Sequence, residues 1–480
     1  MKTSFAFLLL FLGVAGHTAI VMAQSPGTFA PTGSMNTARA LHTATLLLDG
    51  RVLIAGGTRS SSNPILALAS AELYDPATGT FAAAGDMTTA RFWHTATLLP
   101  DGRVLIAGGW GVNNPDARTS AELYDPSTGT FTATGSMAAS HCCATLLNNG
   151  KVLMTGWSGA FAELYDPSAG TFTGTGRMNT DGIHRATLLP DGRVLIANVK
   201  DPAPQPAEIY DPVTNTFSLT GAMKFGAGTV TLLTSGKVLL AGGQNEGGDW
   251  SFASTELYDP TSGTFTDGGK MLHARDSHTA TLLSDSSVLM TGGSAGGAPT
   301  YADAELYDPS AGGFAATVNM TARRSVHTAT LLNDGRVLIT GGAYWIGDGD
   351  SPYLLSSAEL YNPAVLVPSP VLFSFSRDRQ GQGAILHAGT ARLASSSDPA
   401  VAGEALEIYG SGLLDGSVIP PQVAIGGRMA EVLFFGKAPG YASLNQVNVR
   451  VPSGIAPGPA VPVRLTYLGR PSNEVSIGVR

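Results

Sequence analysis

The chain has 480 residues, of which only 13% are charged, with a formal net charge of −8 and a pI near 5.6. That balance argues against nucleic acid or an anionic membrane surface as a partner, since both call for basic patches. The two cysteines are adjacent in sequence, so no disulfide framework is available and core packing must hold the fold.

Residues 1–23 read as a secretory signal peptide. Lys2 supplies the charge, Phe5 to Val14 a short apolar core, and Val21-Met22-Ala23 a small-residue cleavage site. The apolar core is too short to span a bilayer, and no later stretch is long and apolar enough to do so. The expectation is a secreted protein, extracellular or periplasmic, beginning near Gln24, monomeric and not inserted in a membrane.

From residue 27 the chain repeats. HTATLLLDGRVLIAGG, a loop and AELYDPATGTF occupy His42 to Phe81, and the ELYDP-type glutamate returns at Glu72, Glu122, Glu163, Glu208, Glu256, Glu305 and Glu359. Spacings of 50, 41, 45, 48, 49 and 54 residues, with four short β-favouring runs per unit, point to a β-propeller rather than a helical solenoid. Asp49-Gly50 and Asp-Pro-x-x-Gly supply the tight turns. A TF-type phenylalanine also occurs seven times, at Phe29, Phe81, Phe131, Phe172, Phe217, Phe265 and Phe314, but the first precedes any complete unit. Residues 27–35 are therefore expected to close the last blade, giving seven blades over 24–363. Residues 364–370 read as a Pro-rich linker, and 371–480 as a small β-sandwich of alternating runs separated by Gly/Pro turns. The fold class is all-β, a seven-bladed β-propeller with a C-terminal β-sandwich.

This pattern resembles the kelch repeat, through the paired glycines (Gly56-Gly57, Gly108-Gly109, Gly242-Gly243, Gly292-Gly293, Gly341-Gly342) and the ELYDP tyrosine. It is also similar to the central domain of galactose oxidase, a secreted kelch enzyme followed by an immunoglobulin-like domain. Gly381 to Ala384, Ala438 to Tyr441 and Gln446 to Pro452 resemble an immunoglobulin-like C-terminal module of secreted acidobacterial proteins, which implies an extracellular accessory role and no catalytic residues.

Function is expected where the loops vary. The short turns fall on one face, and the loops after the paired glycines and those entering each HTATLL strand fall on the other. All five tryptophans map to that second face: Trp93, Trp110, Trp157, Trp250 and Trp345, joined by Tyr301, Tyr344 and Tyr353. Flat aromatic surfaces suit sugar rings or peptide side chains, while Trp110 and Trp157, each following a glycine, equally suit wedges between blades.

Arg39/His42, Arg91/His94, Arg275/His278 and Arg324/His327 form an R-x-x-H motif in blades 1, 2, 6 and 7. Repetition favours a structural role, each histidine capping groups of its own blade, over a metal site. The ELYDP glutamates fall under the same reasoning. Blades 3 to 5 depart together: the histidine slot holds Cys142, His184 and Gly228, the arginine slot Ala139, Asp181 and Phe225. Strand alternation is expected to send the Cys142 and Cys143 side chains to opposite sides as buried free thiols.

Three functions fit: a glycan- or protein-binding propeller without cofactor, a structural surface protein, and a galactose-oxidase-like copper carbohydrate or alcohol oxidase. Galactose oxidase chemistry implies copper held by two tyrosines and two histidines, with a cysteine cross-linked to one tyrosine. Here no tyrosine precedes a histidine, and the C-terminal domain offers only His387. No catalytic and no metal residue is assigned, and binding ranks first.

Overall fold

The computed structural model describes residues 27–480 except 61–64, 112–114, 157–158, 200–204, 246–250, 297–299, 346–351, 365–366, 377–378, 415, 440 and 442–443. The signal-peptide reading of residues 1–23 lies outside the described residues. One 3-10 turn at Pro115–Arg118 apart, the elements described are β-strands.

Seven four-stranded antiparallel sheets form the propeller. Blade 1 runs outward as Thr43–Leu46, Val52–Ala55, Ser70–Asp75 and Thr80–Asp86. Blades 2 to 6 repeat that order, their innermost strands being Thr95–Leu98, Cys143–Leu146, His184–Leu188, Thr229–Leu232 and Thr279–Leu282. Blade 7 takes Thr328–Leu331, Val337–Thr340 and Ala358–Asn362 from one end of the propeller sequence and Thr28–Pro31 from the other. Phe29 faces Tyr361 in register, as Phe81 faces Tyr74 in blade 1.

The repeated residues explain the repeated structure. The second strand is Val-Leu-Ile-Ala or a close variant and is buried on both faces, because each face meets a neighbouring blade. Seven apolar clusters result, one at each blade-to-blade interface; that between blades 7 and 1 contains Met35, Val52, Ile54, Tyr74, Leu332, Leu338 and Leu360. The ELYDP tyrosine lies against the TF phenylalanine of its own blade in all seven, with ring centroids 4.8 to 5.0 Å apart. Outer turns close on an aspartate: the Asp75 carboxylate accepts from the Ala77 N–H at 2.9 Å, and Gly79 takes φ +70°.

The C-terminal domain is one curled sheet around its own core of Leu406, Ile408, Val447, Val449, Val463 and Ile477. The long strand Arg428–Lys437 pairs with Gln422–Ile425 through its first half and with Asn445–Arg450 through its second, which folds the sheet into a sandwich-like shape. The Pro-rich stretch packs on this domain: Pro370 is buried and Arg470 donates to the Pro368 carbonyl at 2.7 Å. The domain meets the propeller on its short-turn face. The Met429 N–H donates to Pro100 O of blade 2 at 2.7 Å, Val418 N–H to Thr234 O of blade 5 at 3.1 Å, and Gly469 lies against Leu331 and Leu332 of blade 7. Contacts on three sides of the ring place it across the axis, opposite the variable loops.

Candidate functional site

The charges that recur from repeat to repeat are framework. Every ELYDP glutamate accepts backbone N–H bonds from the segment entering its own blade; Glu72 accepts from Asn36 and Thr37 at 2.7 and 3.2 Å, and Glu359 from Thr321 at 2.7 Å. In the R-x-x-H blades a fully buried arginine joins it, Arg39 to Glu72 at 2.7 Å and Arg91 to Glu122 at 3.1 Å, while donating to the carbonyl of the first paired glycine. The terminal nitrogens of the arginine and the carboxylate are thus hydrogen-bonded, as a buried ion pair requires, while Nε of Arg91, Arg275 and Arg324 is left without a partner.

The histidines correct the expectation of caps within one blade. Each Nε2 reaches the preceding blade: His42 to Thr328 and Thr340 at 3.1 Å, His94 to Thr43 at 3.0 Å, His278 to Thr229 at 3.3 Å, His327 to Thr291 at 3.0 Å. The ring lies on the first glycine of that blade, where a Cβ on Gly56 would stand 2.8 Å from His94 Cε1. Burial, reinforced by the neighbouring arginines, lowers these histidines, His94 and His278 to about 3, so they are neutral and committed to the blade seams.

Of the residues before these histidines the sequence singled out only Trp93, and that as an aromatic and not for its backbone. Ser277, Val326, Leu41 and Trp93 all adopt left-handed φ, between 47° and 56°. Their backbones link in series around the channel mouth: Val326 N–H to Ser277 O at 3.1 Å, Leu41 N–H to Val326 O at 3.2 Å, Trp93 N–H to Leu41 O at 3.1 Å. A β-branched residue in this region is costly, about 1–2 kcal/mol, and persists only where surroundings impose it. The arc spans blades 6, 7, 1 and 2 and ends at Trp93, whose side chain is half exposed.

Blades 3 to 5 lack the arc. His141 takes the missing arginine's place on Glu163, at 2.8 Å. The two cysteines do not diverge, because Cys142 lies just ahead of the strand that Cys143 begins, where alternation does not yet hold. Both are half-buried free thiols, their sulfurs 3.5 Å apart and both turned to the His184 carbonyl. The bond from Cys143 brings the Cys142 thiol down to about 7, and the same coupling pushes Cys143 up.

The candidate aromatics divide into groups. Trp93 stacks obliquely on Phe92, with centroids 5.7 Å apart, and Phe92 exchanges backbone hydrogen bonds with Trp110. Trp110 is half-buried beneath the Arg118 guanidinium, 3.7 Å from its ring centre. Tyr344 stacks on the half-exposed Tyr353 at 5.3 Å. The Trp345 N–H donates to Thr300 of blade 6 at 3.1 Å, beside Tyr301. Trp157 and Trp250 lie outside the described residues.

Tyr301 belongs to a group the sequence did not pick out. The exposed His273 ring lies 5.5 Å from it, and His273 Nδ1 is 3.0 Å from the Asp303 carboxylate. Asp303 also accepts from Arg275 at 2.7 Å. Where blades 1, 2 and 7 have Ser70, Ser120 and Ser357 beside the buried arginine, blade 6 has an aspartate. Where blade 1 has Thr37, blade 6 has histidine. Two departures in one unit meet in space, and that coincidence was the available signal. His273, Asp303 and Glu305 bring three donor atoms within 4.8 Å of one another, but the Arg275 guanidinium binds both carboxylates and occupies the position a cation would take.

Among the described residues, no tyrosine, histidine and cysteine side chains come together as a copper centre of the galactose oxidase kind. Seven tyrosines are buried on phenylalanines of their own blades, and four histidines are held in blade seams by threonines. His387 is enclosed in the C-terminal domain by Glu404 and Asp398. The two sulfurs contact each other and backbone carbonyls.

No family model matches the chain, and no curated protein matches it. Among solved structures it is similar to a fungal alcohol oxidase with catalytic diversity among the AA5 family, in complex with copper; the TM-score is 0.61 at 17% identity, covering 95% of this chain and 100% of that one. At that identity the likeness is one of fold: the chain is a seven-bladed propeller of galactose oxidase-like architecture with a curled C-terminal β-domain.

Proposed function

We propose that this protein is an exported, non-catalytic binding propeller of kelch type that captures a glycan on its variable-loop face. The observation that carries the reading is the group of Tyr301, His273 and Asp303. An aromatic face beside an imidazole–carboxylate pair offers a sugar both an apolar platform and hydrogen-bond partners for its hydroxyls. Trp93, held half exposed at the end of the strained arc, offers a second platform on the same face. A protein ligand is the second candidate, since exposed aromatics serve it too. The C-terminal domain, on the opposite face, leaves this surface open and is read as an accessory module.

The fold is shared with a copper alcohol oxidase, but the donors here are engaged elsewhere, so the oxidase reading ranks lower. The test is a glycan array probed with wild type, His273→Ala and Tyr301→Ala. Loss of the captured glycans in both variants at unchanged melting temperature supports the reading. Capture unaffected by either variant, or peroxide production from a primary alcohol by copper-loaded protein, overturns it.

A further inference from the structure

We infer that the glycan captured on the variable-loop face is acidic, and that Arg185, at the mouth of the axial channel, takes its carboxylate or sulfate group. The inference rests on the glycan reading above and adds the ligand's charge to it. The innermost strands of the seven blades line the channel and are close to uniform, TATL or a near variant, with no exposed residue in six of them. Strand His184–Leu188 of blade 4 is the exception. His184 is buried and held neutral, whereas Arg185 is exposed and is the one charged side chain on any of the seven strands. It stands in the slot of Thr43, at the strand end that opens on the variable loops.

A blade seam does not require an arginine here. In four seams the threonine of this slot meets the next blade's histidine: Thr328 with His42, Thr43 with His94, Thr229 with His278 and Thr279 with His327. Between blades 4 and 5 both partners differ, and Arg185 faces Gly228. Its Nε donates to the Gly228 carbonyl at 3.2 Å and its Nη1 to the His184 carbonyl at 3.4 Å. A neutral side chain can donate to a carbonyl; a guanidinium adds a charge that the seam does not neutralise. Framework arginines are paired, Arg39 with Glu72 and Arg193 with Asp191, but among the described residues no carboxylate pairs with Arg185. Asp181, exposed in the loop entering the same strand, acts on His184 and forms no ion pair with the arginine. Two carbonyls thus hold the guanidinium in place, and its remaining N–H groups suit the paired oxygens of a carboxylate or sulfate. The mouth is open on this side, because the left-handed arc covers only blades 6, 7, 1 and 2 and Gly228 brings no side chain. Two residues further along each innermost strand a threonine recurs, Thr187 in blade 4 and Thr45 in blade 1, so hydroxyls and not carboxylates follow Arg185 into the channel. The arginine's charge also reaches His278 of blade 6, the blade that carries Tyr301 and His273.

A glycan array carrying uronate, sialate and sulfate sugars beside neutral counterparts would be probed with wild type, Arg185→Gln and Arg185→Lys. Wild type should capture oxyanion-bearing sugars over their counterparts by about tenfold or more, and added salt should weaken that capture. Arg185→Gln should lose the preference at unchanged melting temperature, and Arg185→Lys should keep part of it. A second measurement reads the site without a sugar. Protein carrying isotope-labelled arginine is titrated with inorganic sulfate while the Nε–H resonances are followed, the Arg185 signal being the one missing from the Arg185→Gln or Arg185→Lys spectrum. That signal should shift saturably. Neutral sugars captured as well as acidic ones by wild type, or acidic capture unchanged in Arg185→Gln, would overturn the inference and leave the glycan reading standing. A saturable sulfate shift with no sugar of either class captured would refute the glycan reading and keep the oxyanion position. No capture and no sulfate shift would overturn both. The wild-type comparison and the titration decide the matter even if Arg185→Gln fails to fold.

Discussion

Mild acid should destabilise this propeller, and the seam histidines set the size of the effect. His42, His94, His278 and His327 are buried against neighbouring blades and held neutral, His94 and His278 with pKa values near 3 against an ordinary 6.5. The unfolded chain therefore binds more protons than the folded one below pH 6.5. Their stabilising contribution is complete above that pH and is lost as pH falls towards the folded-state values. Each such histidine costs about 1.4 kcal/mol per pH unit across this window. By pH 5 the loss is about 2 kcal/mol for each of His94 and His278, and His42 and His327 add in the same direction. A total of at least about 4 kcal/mol is a large share of the 5–15 kcal/mol typical of a folded domain. Urea denaturation followed by tryptophan fluorescence at pH 7, 6.5, 6, 5.5 and 5 measures it. Stability should fall progressively below pH 6.5, and His94→Gln, which removes one titrating ring, should lower stability at pH 7 but flatten the slope by about 1.4 kcal/mol per unit. A stability constant from pH 6.5 to 5, or an unchanged slope in His94→Gln, would refute the reasoning.

Other outcomes follow from the same contacts. Arg91→Ala should cost about 3–5 kcal/mol, because it leaves Glu122 as an unpaired buried charge; denaturant unfolding measures this, and a loss below 1 kcal/mol would contradict the buried-pair description. Phe29→Ala should cost about 2–3 kcal/mol through the seam strand that pairs with Ala358–Asn362, even though Phe29 is near the start of the described chain; a melting temperature within a degree of wild type would contradict a closing role. Trp93→Ala should leave stability nearly unchanged and weaken ligand capture, whereas Trp110→Ala should lower the melting temperature by removing the ring beneath Arg118; equal losses of stability in both would contradict their different burial.

The fold was legible because each unit carries several spaced signals that agree: Val-Leu-Ile-Ala for a strand buried on both faces, Asp-Pro-x-x-Gly for a turn, Tyr and Phe for the outer pair. The candidate site was less so. The R-x-x-H histidines were readable as structural, but their reach to the preceding blade depends on how blades stack, which periodicity does not encode. Val326 and Trp93 gave no hint of left-handed backbone, since the bond from each N–H to the neighbouring blade's carbonyl depends on how the blades stack. Cys142 and Cys143 share one side because the strand starts between them, a boundary that alternation alone cannot locate. His273 and Asp303 stand 30 residues apart, and only comparison of each repeat slot with its counterparts marks them as a pair.

The central claim is that the variable-loop face, not the opposite one, is the recognition surface. Hydroxyl-radical footprinting of the protein with and without a captured ligand tests it most directly. The account predicts protection at Trp93, His273, Tyr301 and Tyr353, with the C-terminal Phe375 and Tyr441 unchanged. Protection confined to the C-terminal domain or to the short-turn face would contradict it.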